Sequence, residues 1–182
     1  MDILMLVLIV LIIIICIIFI TYTNIYNKFQ DYIIRINEVE SSIDTSLRNK
    51  YDLLSKSVSI IKSKDEELKN EAFEEIVKLR SRKISNFDLE RKLIKAQQEL
   101  LNYRSKNDNE DSPKIDDIIK EIEEINDKIE IEINYYNKNI TEYNKLTCEF
   151  PYHIVALLNK YQEKLYFDKK NMSDDDFNDF KL

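Results

Sequence analysis

Not one of the 182 residues is glycine, and only two are proline. Glycine is the residue that enters positive φ without steric cost, so tight turns here must be few and must fall to Asn or Asp. A β-rich or doubly wound fold, with its many turns, is excluded on that ground. Long helices joined by few connections suit the chain. The expected class is all-α: one N-terminal transmembrane helix, then an antiparallel bundle of three long helices and a short C-terminal helix.

Residues 3–20 read ILMLVLIVLIIIICIIFI, eighteen apolar residues without a charge. At 1.5 Å per residue they cover about 27 Å, and Thr21 and Tyr22 bring this to roughly 30 Å, the thickness of a hydrocarbon core. Each Ile, Leu, Val or Phe favours insertion by about 0.3 to 0.6 kcal/mol. Tyr22 and Tyr26 suit the membrane–water interface. A cleaved secretory signal would need a basic segment before the run and a small-residue site after it; here only Met1 and Asp2 precede it and Thr21-Tyr22-Thr23 follows. An uncleaved anchor is therefore expected, touching the lipid bilayer through residues 3–22. Lys28 and Arg35 outnumber Asp31 beyond the run, while Asp2 alone precedes it. The positive-inside rule then places the short N-terminus outside and the soluble part in the cytoplasm of a single-pass cell-membrane protein.

Beyond the anchor, apolar residues recur at Ile25, Phe29, Tyr32, Ile36, Val39, Ile43, Leu47, Leu54, Val58 and Ile61. Steps of four and three, with one of seven, trace one face of a helix, close to a coiled-coil repeat. No Pro or Gly interrupts it, so the anchor and this helix are free to be continuous. A second helical stretch over about 66–104 carries Phe73, Ile76, Val77, Arg80 and Ile84, then Leu89, Leu93, Ala96, Leu100 and Tyr103. Residues 85–88, Ser-Asn-Phe-Asp, mark a kink or break between them. Residues 106–113, KNDNEDSP, read as a loop that ends with Ser112 as helix cap and Pro113 in the first turn. The third helix bears Ile115, Ile118, Ile122, Ile125, Ile129, Ile133, Tyr136, Ile140 and Tyr143. Phe150-Pro151 stops it, and a short fourth helix is expected from Pro151 to about Tyr166. Two arrangements bury these stripes: folding back into a bundle, or a long coiled coil that dimerises. The polar linkers favour folding back. The expected organisation is an anchor over 1–22, a helical bundle over 23–167 and an acidic tail over 168–182.

Several short stretches occur in a telling order. Tyr26-Asn27-Lys28 is followed by Val39-Glu40, Ile43-Asp44, Leu47 and Tyr51-Asp52-Leu53-Leu54; later come Tyr136-Asn137, Tyr143-Asn144, Phe150-Pro151, Ala156-Leu157 and Tyr166-Phe167. This set, behind an N-terminal anchor, resembles the LemA family, whose pattern runs from a Tyr-Asn pair through "RRYDLIPNLV" to "FYN…YN…FP…A…YF". The stretch 66–115 holds no diagnostic residue. Ser55-Lys56 stands in place of the family's Pro-Asn, and Leu158-Asn159-Lys160 in place of a glycine-containing segment. The closing Pro-Val-x-Phe is absent, with Phe177 and Phe180 as candidate substitutes. The resemblance implies a single-pass membrane protein with an antiparallel helical bundle and an external N-terminus, and no established chemistry.

The residues themselves suggest no catalytic, cofactor-binding or metal site. Phosphate-cradling loops need glycines. A di-iron bundle needs two Glu-x-x-His pairs; the one histidine is His153, preceded at that spacing by Phe150, so Glu121, Glu123, Glu124 and Asp127 read as a solvated face. Cys148 near His153 raises a Cys–His pair, which would also need an orienting group and a pocket; a surface His and a half-buried Cys are the expectation. Cys16 lies in the apolar run, so no disulfide framework is expected and the one soluble thiol fits a reducing compartment. The net charge is −7 and stays at −6 without Asp2, which argues against nucleic acid as partner. Heavy use of Ile, Asn, Lys and Tyr fits an AT-rich genome and carries no function. Tyrosines 135, 136, 143, 161 and 166 fit core and rim, with a recognition surface as the alternative. The expected function is a non-enzymatic, membrane-anchored helical scaffold that binds a protein partner or itself, with no small-molecule substrate. The alternative is an extracytoplasmic, membrane-active or lysis-type coiled-coil protein.

Overall fold

A computed structural model describes residues 3–64, 71–79, 84–107 and 112–167. Among the described residues the chain forms five helices and no strand: α1 (Ile3–Lys64), α2 (Glu71–Leu79), α3 (Asn86–Lys106), α4 (Ser112–Cys148) and α5 (Tyr152–Asn159). The apolar run and the first stripe form one uninterrupted helix of 62 residues. Residues 3–20 are exposed throughout, and this is a stretch long and apolar enough to cross a membrane. The described residues group into two compact units, one within Met1–Glu38 and Asn137–Leu165, the other within Val39–Tyr136 and Tyr166–Leu182.

In the second unit, Val39, Ile43, Leu47, Leu54, Val58 and Ile61 of α1 are buried as their spacing requires. They join Phe73, Ile76 and Leu79 of α2, Leu89, Leu93, Ala96 and Leu100 of α3, and Ile115, Ile118, Ile122, Ile129 and Ile133 of α4 in one core. Each large aliphatic side chain so buried contributes about 1.5 to 3 kcal/mol relative to exposure. The seven-residue step from Leu47 to Leu54 is filled by Lys50 and Tyr51, both buried.

The second helical stretch is two helices, not one kinked helix over 66–104. The break reaches the expected 85–88 stretch only at its first residue: Ile84 and Ser85 are non-helical, whereas Asn86, Phe87 and Asp88 already belong to α3. Ser85 is the cap, its hydroxyl accepting the Asp88 N–H at 3.1 Å, which satisfies one of the donors that a helix start leaves open. Val77, expected in the stripe, is 53% exposed, and Leu79 is buried instead. Arg80 and the Ser112 side chain lie outside the described residues. Arg104 near the end of α3 clamps Asp116 near the start of α4 through Nε–Oδ1 at 2.7 Å and Nη2–Oδ2 at 3.0 Å. This guanidinium holds the Asp116 carboxyl below its usual range.

In the first unit, Ile25, Phe29 and Ile36 of α1 are buried, as are Ile140, Tyr143 and Leu146 of α4 and Val155 and Ala156 of α5. Phe29 meets Tyr143 edge-on at 5.7 Å and Tyr161 at 5.0 Å between ring centroids. The Phe150–Pro151 bond is cis. The fourth helix ends at Asn159 and not near Tyr166, because Lys160 turns left-handed at φ 57°. The N–H groups of Lys160 and Tyr161 then reach back to the carbonyls of Leu157 at 3.2 Å and Ala156 at 2.9 Å, a Schellman closure. Among the described residues Lys160 is the one with positive φ, so that turn falls to a lysine and not to the Asn or Asp expected. The tail over 168–182, with Phe177 and Phe180, lies outside the described residues.

Candidate functional site

Polar side chains gather in the second unit where the α1 stripe has its gap. Lys50 is 2% exposed, and its Nζ donates to Asn126 Oδ1 at 2.6 Å. The same amide donates its Nδ2 to Gln97 Oε1 at 3.1 Å. Lys50, Gln97 and Asn126 come from α1, α3 and α4. They line a groove of about 290 Å³ together with Glu90, itself 4% exposed. An ammonium taken out of water is costly unless it is paired and hydrogen-bonded, and Asn126 supplies one of its acceptors. Further along, the Ser42 hydroxyl donates to Glu132. Sequence reasoning missed this cluster; its one local signal is the seven-residue step from Leu47 to Leu54, where Lys50 and Tyr51 take the stripe positions.

His153 and Cys148 bond to separate acceptors, although the Cys148 sulfur also lies 3.8 Å from the Thr147 hydroxyl. His153 Nδ1 lies 2.7 Å from the Thr147 carbonyl; a carbonyl only accepts, so that nitrogen carries the hydrogen. The Cys148 thiol donates to Glu163 at 3.4 Å. His153 is on the surface as expected, whereas Cys148 is exposed and not half-buried. Among the described residues no group of three or more His, Cys, Asp or Glu is placed to hold a metal ion.

The tyrosines divide. Tyr143 is buried and Tyr136 half-buried, while Tyr135 and Tyr166 are exposed. Tyr161 accepts from Gln30 Nε2 at 2.8 Å, and Tyr22 accepts from Asn159 Nδ2 at 3.2 Å. Burial pushes the Tyr143 phenol above its ordinary value, and the neighbouring Tyr161 adds to this. Tyr161 is also raised by burial; the Gln30 hydrogen bond pulls it down, and Tyr26 and Tyr22 push it up. Of the Tyr-Asn pairs, Asn27 is exposed, but Asn144 bonds the backbone of Lys164 through both ends of its amide.

The LemA family model matches residues 39–178, well over half of the chain. The chain belongs to the LemA family. No curated protein matches it, and no solved structure does. The LemA match takes in residues 66–115, where no diagnostic residue stands out by eye, and begins after Tyr26-Asn27. Within the LemA segment Tyr51-Asp52-Leu53-Leu54, Tyr51 and Leu54 are buried, Leu53 is half-buried and Asp52 is exposed. Lys160 occupies its left-handed position inside the stretch where the LemA pattern has a glycine-containing segment.

Proposed function

We propose that this LemA-family chain is a single-pass membrane protein whose helices form an antiparallel bundle, a non-enzymatic scaffold that binds another protein or itself. One observation carries the reading: residues 3–20 are exposed throughout and belong to the same helix as the buried Phe29 and Ile36. An apolar surface of that extent far exceeds what a soluble monomer leaves in water, and a bilayer is the solvent that suits it. The antiparallel arrangement is supported by the order of contacts, since Ser42 pairs with Glu132 while Lys50, further along α1, pairs with the earlier Asn126. The non-enzymatic reading is supported by the separate acceptors that His153 and Cys148 take. The charges at Lys28 and Arg35 favour a cytoplasmic bundle.

Fractionation and thiol labelling test this. The protein is expected to stay with membranes through an alkaline wash; release into the soluble fraction overturns the anchor. With Cys16→Ser in place, the exposed Cys148 is expected to react with an impermeant maleimide only after cell lysis. Reaction in intact cells overturns the cytoplasmic placement and favours the lysis-type alternative. Cross-linking in native membranes is expected to capture a partner or a second copy, and a consistently uncross-linked chain overturns the scaffold.

A further inference from the structure

Phe150, Ile154, Leu157 and Leu158 are 83%, 50%, 66% and 69% exposed. The last three stand at i, i+3 and i+4, so they share one face of α5. The neighbouring Val155 and Ala156 are buried in the first unit at 3% and 2%. The helix is thus apolar on a packed side and on most of an open side, where His153 stands four residues before Leu157; an open apolar face of this kind marks a surface that meets lipid or protein.

Its position indicates which. Asn159 in its last turn bonds Tyr22, two residues past the end of the apolar run. Tyr152 in its first turn accepts from Lys28 Nζ at 3.5 Å, and the same ammonium lies 4.9 Å from its ring centre. At 1.5 Å per residue these α1 contacts lie about 3 Å and about 12 Å beyond Ile20. Interfacial helices bury their apolar faces about 5 to 10 Å into the headgroup–acyl boundary, and Tyr and Lys are the side chains that sit there.

We infer that the Ile154, Leu157 and Leu158 face of α5, with Phe150, docks into the headgroup–acyl boundary of the bilayer that α1 crosses. The inference rests on the membrane reading above. It gives the protein a lateral lipid contact beside its span, and this contact limits the depth and tilt of α1 in the bilayer.

The chain has no tryptophan, so single tryptophans report their own surroundings. The full-length protein would be placed in phosphatidylcholine vesicles with bromine near the headgroup end or the methyl end of the acyl chains. Ile12→Trp reports the span, Leu158→Trp and Leu157→Trp report α5, and Ile34→Trp, exposed and further along α1, is the control. The α5 indoles are expected to lose most of their emission to the shallow bromines, and the Ile12→Trp indole to the deep ones. The Ile34→Trp indole should keep its emission. If Ile12→Trp is not quenched, the span itself fails and the α5 contact with it. If Ile12→Trp is quenched and both α5 variants are not, only the α5 contact is overturned. An α5 indole with blue-shifted but unquenched emission means that protein, a partner or a second copy, covers the face, and likewise overturns it.

Discussion

The side-chain amide of Asn144 mimics a strand partner for the backbone of Lys164. Its Oδ1 accepts the Lys164 N–H at 2.8 Å, and its Nδ2 donates to the Lys164 carbonyl at 2.8 Å. Residues 161–167 have no secondary structure of their own, so this amide satisfies backbone groups that no helix ladder serves. Asn144→Ala is expected to cost about 1 to 3 kcal/mol, read as a lower denaturation midpoint in detergent. Hydrogen exchange should accelerate at the Lys164 amide. Unchanged protection there would refute the assignment.

The ammonium of Lys50 has the neutral Asn126 amide among its acceptors. Asn126→Leu deprives Lys50 and Gln97 of a partner each and is expected to destabilise by about 1 to 3 kcal/mol. Lys50→Met removes the buried charge and keeps much of the volume. Combined, the two substitutions should cost less than their sum by about 0.5 to 3 kcal/mol. A double-mutant cycle by chemical denaturation measures this, and strict additivity would argue against the coupling.

Leu93 is fully buried and Val77 is half in solvent. Leu93→Ala is expected to cost about 2 to 5 kcal/mol. Val77→Ala should stay within about 0.5 kcal/mol of the parent. Thermal melts followed by circular dichroism distinguish the two, and a large loss at Val77 would restore it to the core.

Tyr143 and Tyr161 tie stability to alkaline pH. Their phenols lie above the ordinary value in the folded chain, so the folded state holds those protons more tightly than the unfolded state does. Their contribution is fully present below the unfolded value of about 10 and is lost as pH rises through the folded values. The melting temperature should therefore fall on going above about pH 10. Tyr143→Phe, which cannot ionise, should flatten that fall, and absorbance titration of the phenolates should show one late-ionising tyrosine fewer.

Lys160 carries a backbone conformation that a Cβ disfavours. Lys160→Gly is expected to stabilise by about 1 kcal/mol, seen as a raised melting temperature. A loss would mean that the lysine side chain supplies more than the strain costs.

Periodicity alone locates the core of α1 and α4. Every stripe residue from Ile115 to Tyr143 is buried or half-buried, because long helices without Gly or Pro have little freedom except to turn that face inward. Short α2 was less legible: Val77 and Leu79 both neighbour Ile76, and packing against α3 decides between them. Lys50 was hidden because its acceptor lies 76 residues away, and a lysine in a stripe gap is ordinarily solvated. The end of α5 was misplaced for a local reason: Asn159 is the better left-handed residue by type, yet Lys160 takes that conformation, while Asn159 uses its amide on Tyr22 and Val155.

The unbroken passage of α1 from its apolar run into Ile25 and Phe29 leaves no swivel between them. Each added residue turns a helix by about 100°, so inserting one residue at Thr23 would swing Phe29 and its aromatic neighbours roughly a quarter turn out of phase with the side chains of residues 3–20. Seven added residues would bring them nearly back into phase. Length along this helix is therefore also angle.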